Sequence, residues 1–246
     1  MCDPGVEPWP LRHLVLRTPR LTLRPDDDAG LYELAALALR GVHPPEEMPF
    51  LTPWTDQAPD DLVRTSMQYF WRARARLTAS DWSVHFLVRH DGRVIGTQEL
   101  SGKEFAITRE VSSGSWLGVA HQRHGYGTEM RAAVLLLAFD HLGATIARSG
   151  AFADNPASLR VSEKLGYRTD GANTSARRGM VATEIRLVLE PPHFVRPEWT
   201  LQVDGLAGCL RMLGASRWLV SNGRAGGRRW WWVVREAVQP VARARR

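Results

Sequence analysis

Cysteine is scarce in this chain, and long apolar runs are missing from it. Cys2 and Cys209 are the only cysteines, which excludes a disulfide framework and a cysteine-based zinc site. No run reaches the roughly 18 apolar residues that a membrane-spanning helix needs. The first ten residues, MCDPGVEPWP, begin acidic and lack the apolar segment of a signal peptide. We therefore expect a cytoplasmic protein that has no membrane partner.

Lysine is also scarce, since Lys103 and Lys164 are the only two and arginine supplies the rest of the basic charge. The chain has a formal net charge of +6. Residues 206–246 hold nine arginines and one glutamate, a charge of +8, so the remainder is close to −2. Trp230 to Trp232 lie in this basic tail, which could stack on bases or contact a membrane surface. We expect instead a weakly structured extension, with nucleic acid not the main partner.

A chain of 246 residues can form one large domain with appendages. We divide it into an N-terminal arm (1–16), a main domain (17–200) and a C-terminal extension (201–246). Apolar periodicity, capping residues and turn signals such as Asp91-Gly92 predict a mixed α/β fold. The predicted strands are 20–24, a hairpin at 83–100, 113–120, 144–152 and 180–190, and the predicted helices are 25–40, 59–77, one from the 121–139 stretch to Gly143, and 155–166.

The stretch HQRHGYGTEMRAAVLLLAF, residues 121–139, leads from a strand through a glycine-containing loop into a helix. A helix N-terminus presents free backbone N–H groups with a partial positive charge, and glycine lets the backbone approach a ligand closely. Gly125 and Gly127 at this position therefore predict an anion site suited to phosphate. A dinucleotide fingerprint would need glycine where Met130 stands, and a Walker loop would need a lysine that this stretch lacks.

Three segments together resemble one family. The pattern Gln-x-x-Gly-x-Gly at 122–127 is similar to the pyrophosphate loop of the GNAT acyl-CoA N-acyltransferases. The segment NPASLRVSEKLGY at 155–167 resembles the region that follows that loop, and TPRLTLRP at 18–25 resembles the opening of the RimJ/RimL-type branch. The resemblance covers about residues 17–190. It implies a mixed, mostly antiparallel central sheet with helices on both faces and a splayed pair of parallel strands.

The same resemblance implies an acyl-CoA co-substrate, with acetyl-CoA as the default donor and succinyl-CoA as the alternative. Backbone groups near Leu117 and Val119 would hold the pantetheine arm. Asn155 would reach that arm as well, and a plain helix N-cap is the alternative role for this residue. The pyrophosphate would be held by the loop residues Gln122, Arg123, His124, Gly125, Tyr126, Gly127 and Thr128.

The resemblance also supplies candidate catalytic groups. Ser158 is the candidate acid for the leaving CoA thiolate, with a solvated serine of the first helical turn as the alternative. The strand at 115–119 carries no carboxylate, so Glu99 on the preceding strand is the candidate general base. A surface carboxylate is the alternative role for Glu99. If the base is missing, positioning alone could serve an amine that is already partly neutral.

Three further residues carry secondary expectations. Glu129 follows the glycine loop, and we expect it to stabilise the helix N-terminus or to bind Arg131. Tyr167 follows the predicted helix and is expected in the core. His121 and His124 have a metal-like spacing, but no third or fourth ligand follows at a helpful interval, so we expect no metal.

The resulting hypothesis is an N-acetyltransferase in which a primary amine attacks acetyl-CoA directly, through a tetrahedral oxyanion that backbone N–H groups stabilise. The acceptor would be a protein N-terminus or a small amine, and the sequence does not decide between them. A non-catalytic CoA-binding regulatory module is the alternative, because the splayed strand lacks a carboxylate. Many relatives are dimers, so a homodimer is an option that rests on analogy alone.

Overall fold

The computed structural model describes residues 7–216, in which one nine-stranded sheet separates two groups of helices. The helices are α1 (Asp28–Leu39), α2 (Pro59–Arg76), α3 (Phe105–Thr108), α4 (Tyr126–Leu136), α5 (Pro156–Lys164) and α6 (Leu206–Cys209). A π-helical segment, Leu137–Leu142, continues α4. The strands are β1 (Val15–Arg17), β2 (Thr22–Pro25), β3 (Asp81–His90), β4 (Arg93–Lys103), β5 (Glu110–Leu117), β6 (Ile146–Phe152), β7 (Arg168–Arg177), β8 (Met180–Leu189) and β9 (Gln202–Asp204).

The strand order is β7-β8-β6-β5-β4-β3-β2-β1-β9, and every described pair is antiparallel except β5 with β6. The predicted fold class, a mostly antiparallel mixed sheet with one parallel pair, is confirmed. The predicted hairpin is also confirmed, because His90 pairs with Arg93 across a turn in which Asp91 and Gly92 have φ angles of 48° and 76°. Both angles lie in the left-handed region that this turn type requires.

The two faces of the sheet bury different helices because side chains alternate along each strand. Phe86 and Val88 of β3 join the main core with α4, whereas Leu87 between them joins a second cluster with α1 and α2. We call these the α4 face and the α1 face. The helix after the glycine loop is buried almost all round, and Tyr167 lies in the main core, as predicted.

Both ends of the main domain extend further than the sequence predicted. A loose arm is wrong for residues 10–16, because Leu11, Leu14 and Leu16 are buried and β1 lies between β2 and β9 in the sheet. The boundary at residue 200 is wrong as well, since Leu201, Cys209 and the segment up to residue 215 contribute to the main core. The tail that holds Trp230 to Trp232 lies outside the described residues.

The strand β7 was not predicted. Its sequence, RTDGANTSAR, has no apolar alternation, and its side chains are mostly exposed along the edge of the sheet. It pairs with β8 along most of its length, across a two-residue turn at Arg178-Gly179. The polar strand β7 is therefore held beside the apolar strand β8 by backbone hydrogen bonds.

Candidate active site

The central feature of the site is a wedge between the two parallel strands. β5 and β6 pair only at Glu110–Ile146, Val111–Ala147 and Ser112–Arg148. Beyond Ser112, β5 continues to Leu117 along β4, while β6 continues to Phe152 along β8. The strands therefore part, and each leaves one backbone edge facing the opening. An extended chain could enter such a wedge and use those edges as an added strand would.

The glycine loop lies at the open end of this wedge. Arg123 and Gly125 have φ angles of 65° and 83°, and α4 begins immediately afterwards at Tyr126. At Gly125 the left-handed conformation itself favours glycine. The backbone N–H groups of the first turn of α4 consequently point out of the helix end, which is the arrangement predicted for a phosphate site.

Gly127 has a different reason to be glycine. Its φ is not in the left-handed region, and an added Cβ would meet only Leu117 Cδ1 and Val161 Cγ2, both at 3.8 Å. These are ordinary van der Waals contacts, so the packing of the described residues does not demand glycine here. A ligand that lies against the backbone would demand it.

Glu99 of β4 lies on the α1 face beside the splayed part of β5. Its Oε1 accepts a hydrogen bond of 2.8 Å from Ser83 Oγ, and an added Cβ on Gly114 would be 3.2 Å from its Oε2. Ser83 Oγ is also 3.2 Å from Nε2 of His85, which is 5 % exposed. Burial lowers the pKa of His85, and the charge of Glu99 opposes part of that change.

This arrangement gives the predicted base two polar neighbours that the sequence analysis missed, Ser83 and His85. The His85 ring packs edge-on against Tyr69 and Phe70 of α2, with centroids 5.3 and 5.1 Å apart. The Glu99 carboxylate accepts from the Ser83 hydroxyl, which itself contacts the buried His85 imidazole, and a carboxylate with such a fixed partner suits the role of a proton acceptor. The sequence did contain a signal for Ser83 and His85, because both are polar residues within the otherwise apolar strand DWSVHFLV.

The chain matches a family model described as an acetyltransferase (GNAT) domain over residues 20–168. It belongs to the GNAT acetyltransferase family. The predicted enzyme class, an N-acetyltransferase, is confirmed at this level. Within residues 7–216, no helix has both the length and the apolar character needed to cross a membrane.

Several solved structures share the GNAT fold with this chain. Mycobacterium smegmatis RimJ in complex with CoA-disulfide aligns with a TM-score of 0.61 at 15 % identity, covering 82 % of this chain and 95 % of that one. RimL, a ribosomal L7/L12 α-N-protein acetyltransferase in complex with coenzyme A, aligns at 0.56 with 13 % identity over 70 % and 95 %. A chimera of the Vibrio cholerae spermidine N-acetyltransferase SpeG aligns at 0.54 with 18 % identity over 70 % and 95 %. These identities establish the fold alone.

Two contacts change the roles expected from the GNAT resemblance. Gln122 donates through Nε2 to the carbonyls of Val42, at 2.7 Å, and Leu117, at 3.0 Å, so its side chain ties the loop to the end of β5. The Val119 N–H donates to Gly41 O at 3.0 Å, and the Val119 carbonyl accepts from the Gln122 N–H. The Val119 N–H is therefore occupied, whereas its carbonyl keeps a second lone pair with which it can accept a bond from pantetheine. The splayed edge of β5 before Leu117 is the better placed alternative.

Glu129 does not bind Arg131. Its carboxylate accepts from Arg20 Nε at 2.7 Å, from Arg20 Nη2 at 2.6 Å and from Thr18 Oγ1 at 2.6 Å. Residues two apart on an α-helix point about 200° apart around its axis, so Glu129 and Arg131 face different neighbours. Arg20 also donates to His124 O at 3.0 Å. This residue, just before β2, therefore holds the glycine loop in place, and the sequence analysis did not identify it.

The histidines of the loop sit among other basic groups. Burial lowers the pKa of His121, and His124, His90 and Arg40 lower it further. His124 lies 2.6 Å from Gln122 O through Nδ1, and its ring stacks on Tyr126. Neighbouring positive charge lowers the pKa of a histidine, and the same charge favours the binding of an anion. Among residues 7–216 no group of three or more His, Cys, Asp or Glu side chains is arranged to hold a metal ion.

Asn155 and Ser158 follow β6 on the other side of the wedge. The Asn155 Oδ1 accepts from the Ser158 N–H at 3.1 Å, so Asn155 is the N-cap of α5, as its alternative role predicted. A capping carbonyl still leaves the amide NH₂ group of Asn155 with its two donors. The Ser158 side chain is half-buried in the first turn of α5.

The α1 face of the wedge is bounded by the loop between α1 and α2. His43, Phe50, Trp54 and Trp116 form an unbroken aromatic series in this loop and β5, with ring centroids 5.2 to 5.8 Å apart. The turn of the β7–β8 hairpin closes against the same loop through Arg177 and Arg178. The partners of the two arginines are Met48 O, Asp154, Asp56, Pro45 O and Glu47 O.

Proposed function

We propose that the chain transfers an acyl group from acyl-CoA to a primary amine, by direct attack of the amine on the thioester. One observation carries the proposal: β5 and β6 part after Ser112, and the wedge between them opens beside the glycine loop of α4. Family membership supplies the class of reaction. Acetyl-CoA is the donor that the family description implies.

On the donor side, the diphosphate of CoA binds to the backbone N–H groups from Arg123 to Thr128. The pantetheine arm runs into the wedge along the splayed edge of β5. Gly127 allows the close approach, and the guanidinium of the neighbouring Arg123 adds positive charge beside the loop. The N–H groups on the same edge then stabilise the oxyanion that forms from the thioester carbonyl.

On the acceptor side, the amine approaches from the α1 face, where Glu99 lies. The amine nitrogen forms a bond to the carbonyl carbon, its proton passes to Glu99 directly or through water, and the C–S bond breaks. Ser158 or solvent then supplies a proton to the CoA thiolate. The hydrogen bond from Ser83, whose hydroxyl also contacts the imidazole of His85, holds the Glu99 carboxylate in place for this step.

The acceptor is a primary amine at the end of a chain that fits between the aromatic series and the β7–β8 turn. A protein N-terminus and a small amine both meet this description. RimL acts on a ribosomal protein α-amine and SpeG is a spermidine N-acetyltransferase, so both classes occur among structures that share this fold. A peptide with a free α-amino group and spermidine are therefore the first two acceptors to try.

The donor half of the proposal is tested by thermal unfolding of the full chain with acetyl-CoA, and with NAD as a control ligand. A ligand at about one hundred times its Kd stabilises by roughly 2.7 kcal/mol, which raises the Tm of a domain of this size by about 5 to 10 °C. Gly127→Val should remove the acetyl-CoA shift, whereas Ala29→Val, a matched change in the exposed first turn of α1, should keep it. An unchanged shift in Gly127→Val would disprove the loop assignment.

The catalytic half is tested by the release of free CoA thiol with spermidine or the peptide as acceptor. Turnover with either amine supports the enzyme and excludes a purely regulatory CoA-binding module. A chain that binds acetyl-CoA but releases no thiol with any amine of a broad panel would support the regulatory module instead.

A further inference from the structure

Two glycines lie at the same level on the two sides of the wedge. Gly114 of β5 and Gly150 of β6 each come two residues after the last parallel pair of the two strands. Neither glycine has a φ in the left-handed region, so their backbone conformation does not require glycine. The reason for glycine at both positions lies in what occupies the space beside them on the α1 face.

A carboxylate occupies that space on each side. An added Cβ on Gly114 would be 3.2 Å from Oε2 of Glu99, and one on Gly150 would be 2.6 Å from Oε1 of Glu184. Glu184 belongs to β8, the neighbour of β6, just as Glu99 belongs to β4, the neighbour of β5. Two carboxylates therefore lean over the glycines toward the opening of the wedge, one from each side.

Glu99 is held by Ser83, but the carboxylate of Glu184 has no such partner. Glu184 is half-buried, and within residues 7–216 it forms neither an ion pair nor a side-chain hydrogen bond. The two arginines on this face are engaged elsewhere. Arg148 bonds to two other carboxylates at 2.7 and 2.9 Å, and Arg186 donates to two oxygens of β7 at 2.9 and 3.0 Å. A carboxylate that is partly removed from water without a partner favours the binding of a cation.

The charges around this part of the wedge point to the same class of ligand. Two arginines stand against four carboxylates, which gives a formal charge of −2. These six side chains are Arg148, Arg186, Glu99, Glu110, Asp170 and Glu184. A ligand with one positive charge would leave part of this negative charge uncompensated, whereas a ligand with two positive charges would balance it.

The spacing of the two carboxylates limits the length of such a ligand. A groove of about 260 Å³ opens on this face, and its lining includes Ser112, Gly150 and Glu184. Paired strands lie about 4.8 Å apart, so carboxylates that lie over two parting strands are about 5 Å or more apart. Two nitrogens joined by three or four carbons span roughly 5 to 6 Å at bond lengths near 1.5 Å. A peptide N-terminus has only a neutral amide at this distance from its amine.

We propose that Glu184 determines the acceptor specificity by binding a second ammonium group, three or four carbons from the amine that is acylated. The acceptor is then a diamine or polyamine and not a protein N-terminus. This inference rests on the proposed acyl transfer. The reaction itself is unchanged: the C–N bond forms, the C–S bond breaks and the proton of the attacking amine passes to Glu99, while the distal ammonium group keeps its proton and stays unmodified in the product.

Three variants separate the charge of Glu184 from its position. Glu184→Gln removes the charge and keeps the shape of the side chain. Gly150→Ala keeps the charge, but its methyl group would take the place of the Glu184 carboxylate and displace it from the wedge. Glu163→Gln is the matched control, because Glu163 is exposed on α5, on the opposite face of the sheet.

The test is titration calorimetry of the full chain, saturated with CoA, with butane-1,4-diamine and with pentylamine. Pentylamine has the same number of heavy atoms, but a methyl group replaces the distal ammonium group. Hydrogen bonds to a charged group predict that the wild-type chain binds the diamine on the order of tenfold more tightly. Glu184→Gln should bring the two affinities within about twofold and leave the Kd of acetyl-CoA unchanged. Glu163→Gln should keep the tenfold preference.

Thermal unfolding checks that Glu184→Gln folds, and Gly150→Ala provides an independent route, since it should reduce the preference about threefold. Equal affinities for the two amines in the wild-type chain, or a preference that survives in both Glu184→Gln and Gly150→Ala, would overturn the role of Glu184. Tighter binding of a peptide with a single α-amine than of the diamine would overturn it as well. In each of these cases, thiol release from acetyl-CoA with any amine would leave the acyltransferase intact. A failure to bind any acyl-CoA would instead overturn the proposed function.

Discussion

The Ser83 hydroxyl donates a 2.8 Å hydrogen bond to the Glu99 carboxylate, across the strand pair β3 and β4. The hydroxyl is also within 3.2 Å of the His85 ring, so a carboxylate, a hydroxyl and an imidazole lie in sequence on the α1 face. One carboxylate oxygen of Glu99 is held by Ser83, and the other lies beside Gly114 in the splayed part of β5. This relationship makes Glu99 testable as a general base.

Glu99→Gln keeps the shape of the side chain and the hydrogen bond from Ser83 but removes the proton acceptor. We expect kcat with spermidine or a peptide amine to fall by roughly 10² to 10⁴ at neutral pH, since general-base catalysis contributes about that much. The Kd of acetyl-CoA should stay within twofold, because Glu99 faces the acceptor. Rates are measured by thiol release, and Ser83→Ala should lose far less. Wild-type turnover in Glu99→Gln would exclude Glu99 as the base.

The buried imidazole of His85 predicts a pH dependence of stability. Burial lowers the pKa of His85 below its ordinary value of 6.5, so in acid the unfolded chain binds a proton that the folded chain refuses. Above about pH 6.5 His85 is neutral in both the folded and the unfolded chain and does not change the free energy of unfolding. Below that pH the unfolded chain takes up the proton, so the free energy of unfolding falls. The slope is at most about 1.4 kcal/mol per pH unit.

The His85 effect is isolated by urea unfolding of the wild type and of His85→Asn at several pH values between 5 and 8. The difference between their free energies of unfolding should be constant above pH 7 and should decrease toward pH 5. Contributions from other titrating groups cancel in this difference. A difference that stays flat across the range would mean that His85 is not held neutral by burial.

Local signals made much of the fold predictable. The Asp91-Gly92 turn, the left-handed Gly125 and the Asn155 N-cap depend on a few adjacent residues, so the sequence contains the whole cause. The strands β1 and β9 were missed because each of them depends on pairing with a strand that is far away in the sequence. Leu16 of β1 pairs with Val203 of β9, nearly the length of the domain away, and three residues of strand carry little periodicity.

The Glu99 site shows why side-chain constellations are harder to predict. A two-residue turn at Asp91-Gly92 pairs His90 with Arg93, and an unbroken ladder from there would place Glu99 opposite Val84. An irregularity after Val88 shifts the register by one residue, so Glu99 lies opposite His85 instead. A single bulge therefore decides which face of the sheet carries the Glu99 carboxylate. The periodicity of the sequence gives no sign of this bulge.

The glycine of the Leu-Gly-Tyr segment predicts a stability difference between two glycines. Gly166 has a φ of 91°, and an added Cβ would be 2.0 Å from the backbone oxygen of His193. Gly179 has a φ of 73° in the exposed β7–β8 turn, and nothing lies within 4 Å of its added Cβ. Both substitutions by alanine carry the strain of the left-handed region, but only Gly166→Ala also carries a clash with backbone.

We expect Gly179→Ala to lower the free energy of unfolding by about 1 kcal/mol and Gly166→Ala by roughly 3 kcal/mol or more. Urea unfolding of the two variants beside the wild type measures both values. Similar losses in the two variants would show that the segment after α5 moves away from His193 at little cost.

The contact between the β7–β8 turn and the α1–α2 loop predicts an effect on the acceptor alone. Arg178 donates through Nε to Asp56 at 2.8 Å and through Nη1 to Pro45 O at 3.1 Å, and the hydrogen bonds from Arg178, followed by its charge, lower the pKa of Asp56. These groups are exposed, so the pair adds little to global stability. It does fix the position of the loop that carries the aromatic series beside the wedge.

Asp56→Asn should therefore raise the KM of the amine acceptor several-fold and leave the Kd of acetyl-CoA and the Tm nearly unchanged. The matched control is Asp61→Asn, which breaks an exposed pair with Arg64 on α2 and makes no contact with the β7–β8 turn. High salt should reproduce part of the Asp56→Asn effect in the wild type, because exposed pairs are screened. An unchanged KM in Asp56→Asn, or an equal rise in Asp61→Asn, would mean that the turn does not shape the acceptor site, and the amine would then have to reach Glu99 by a path that avoids this loop.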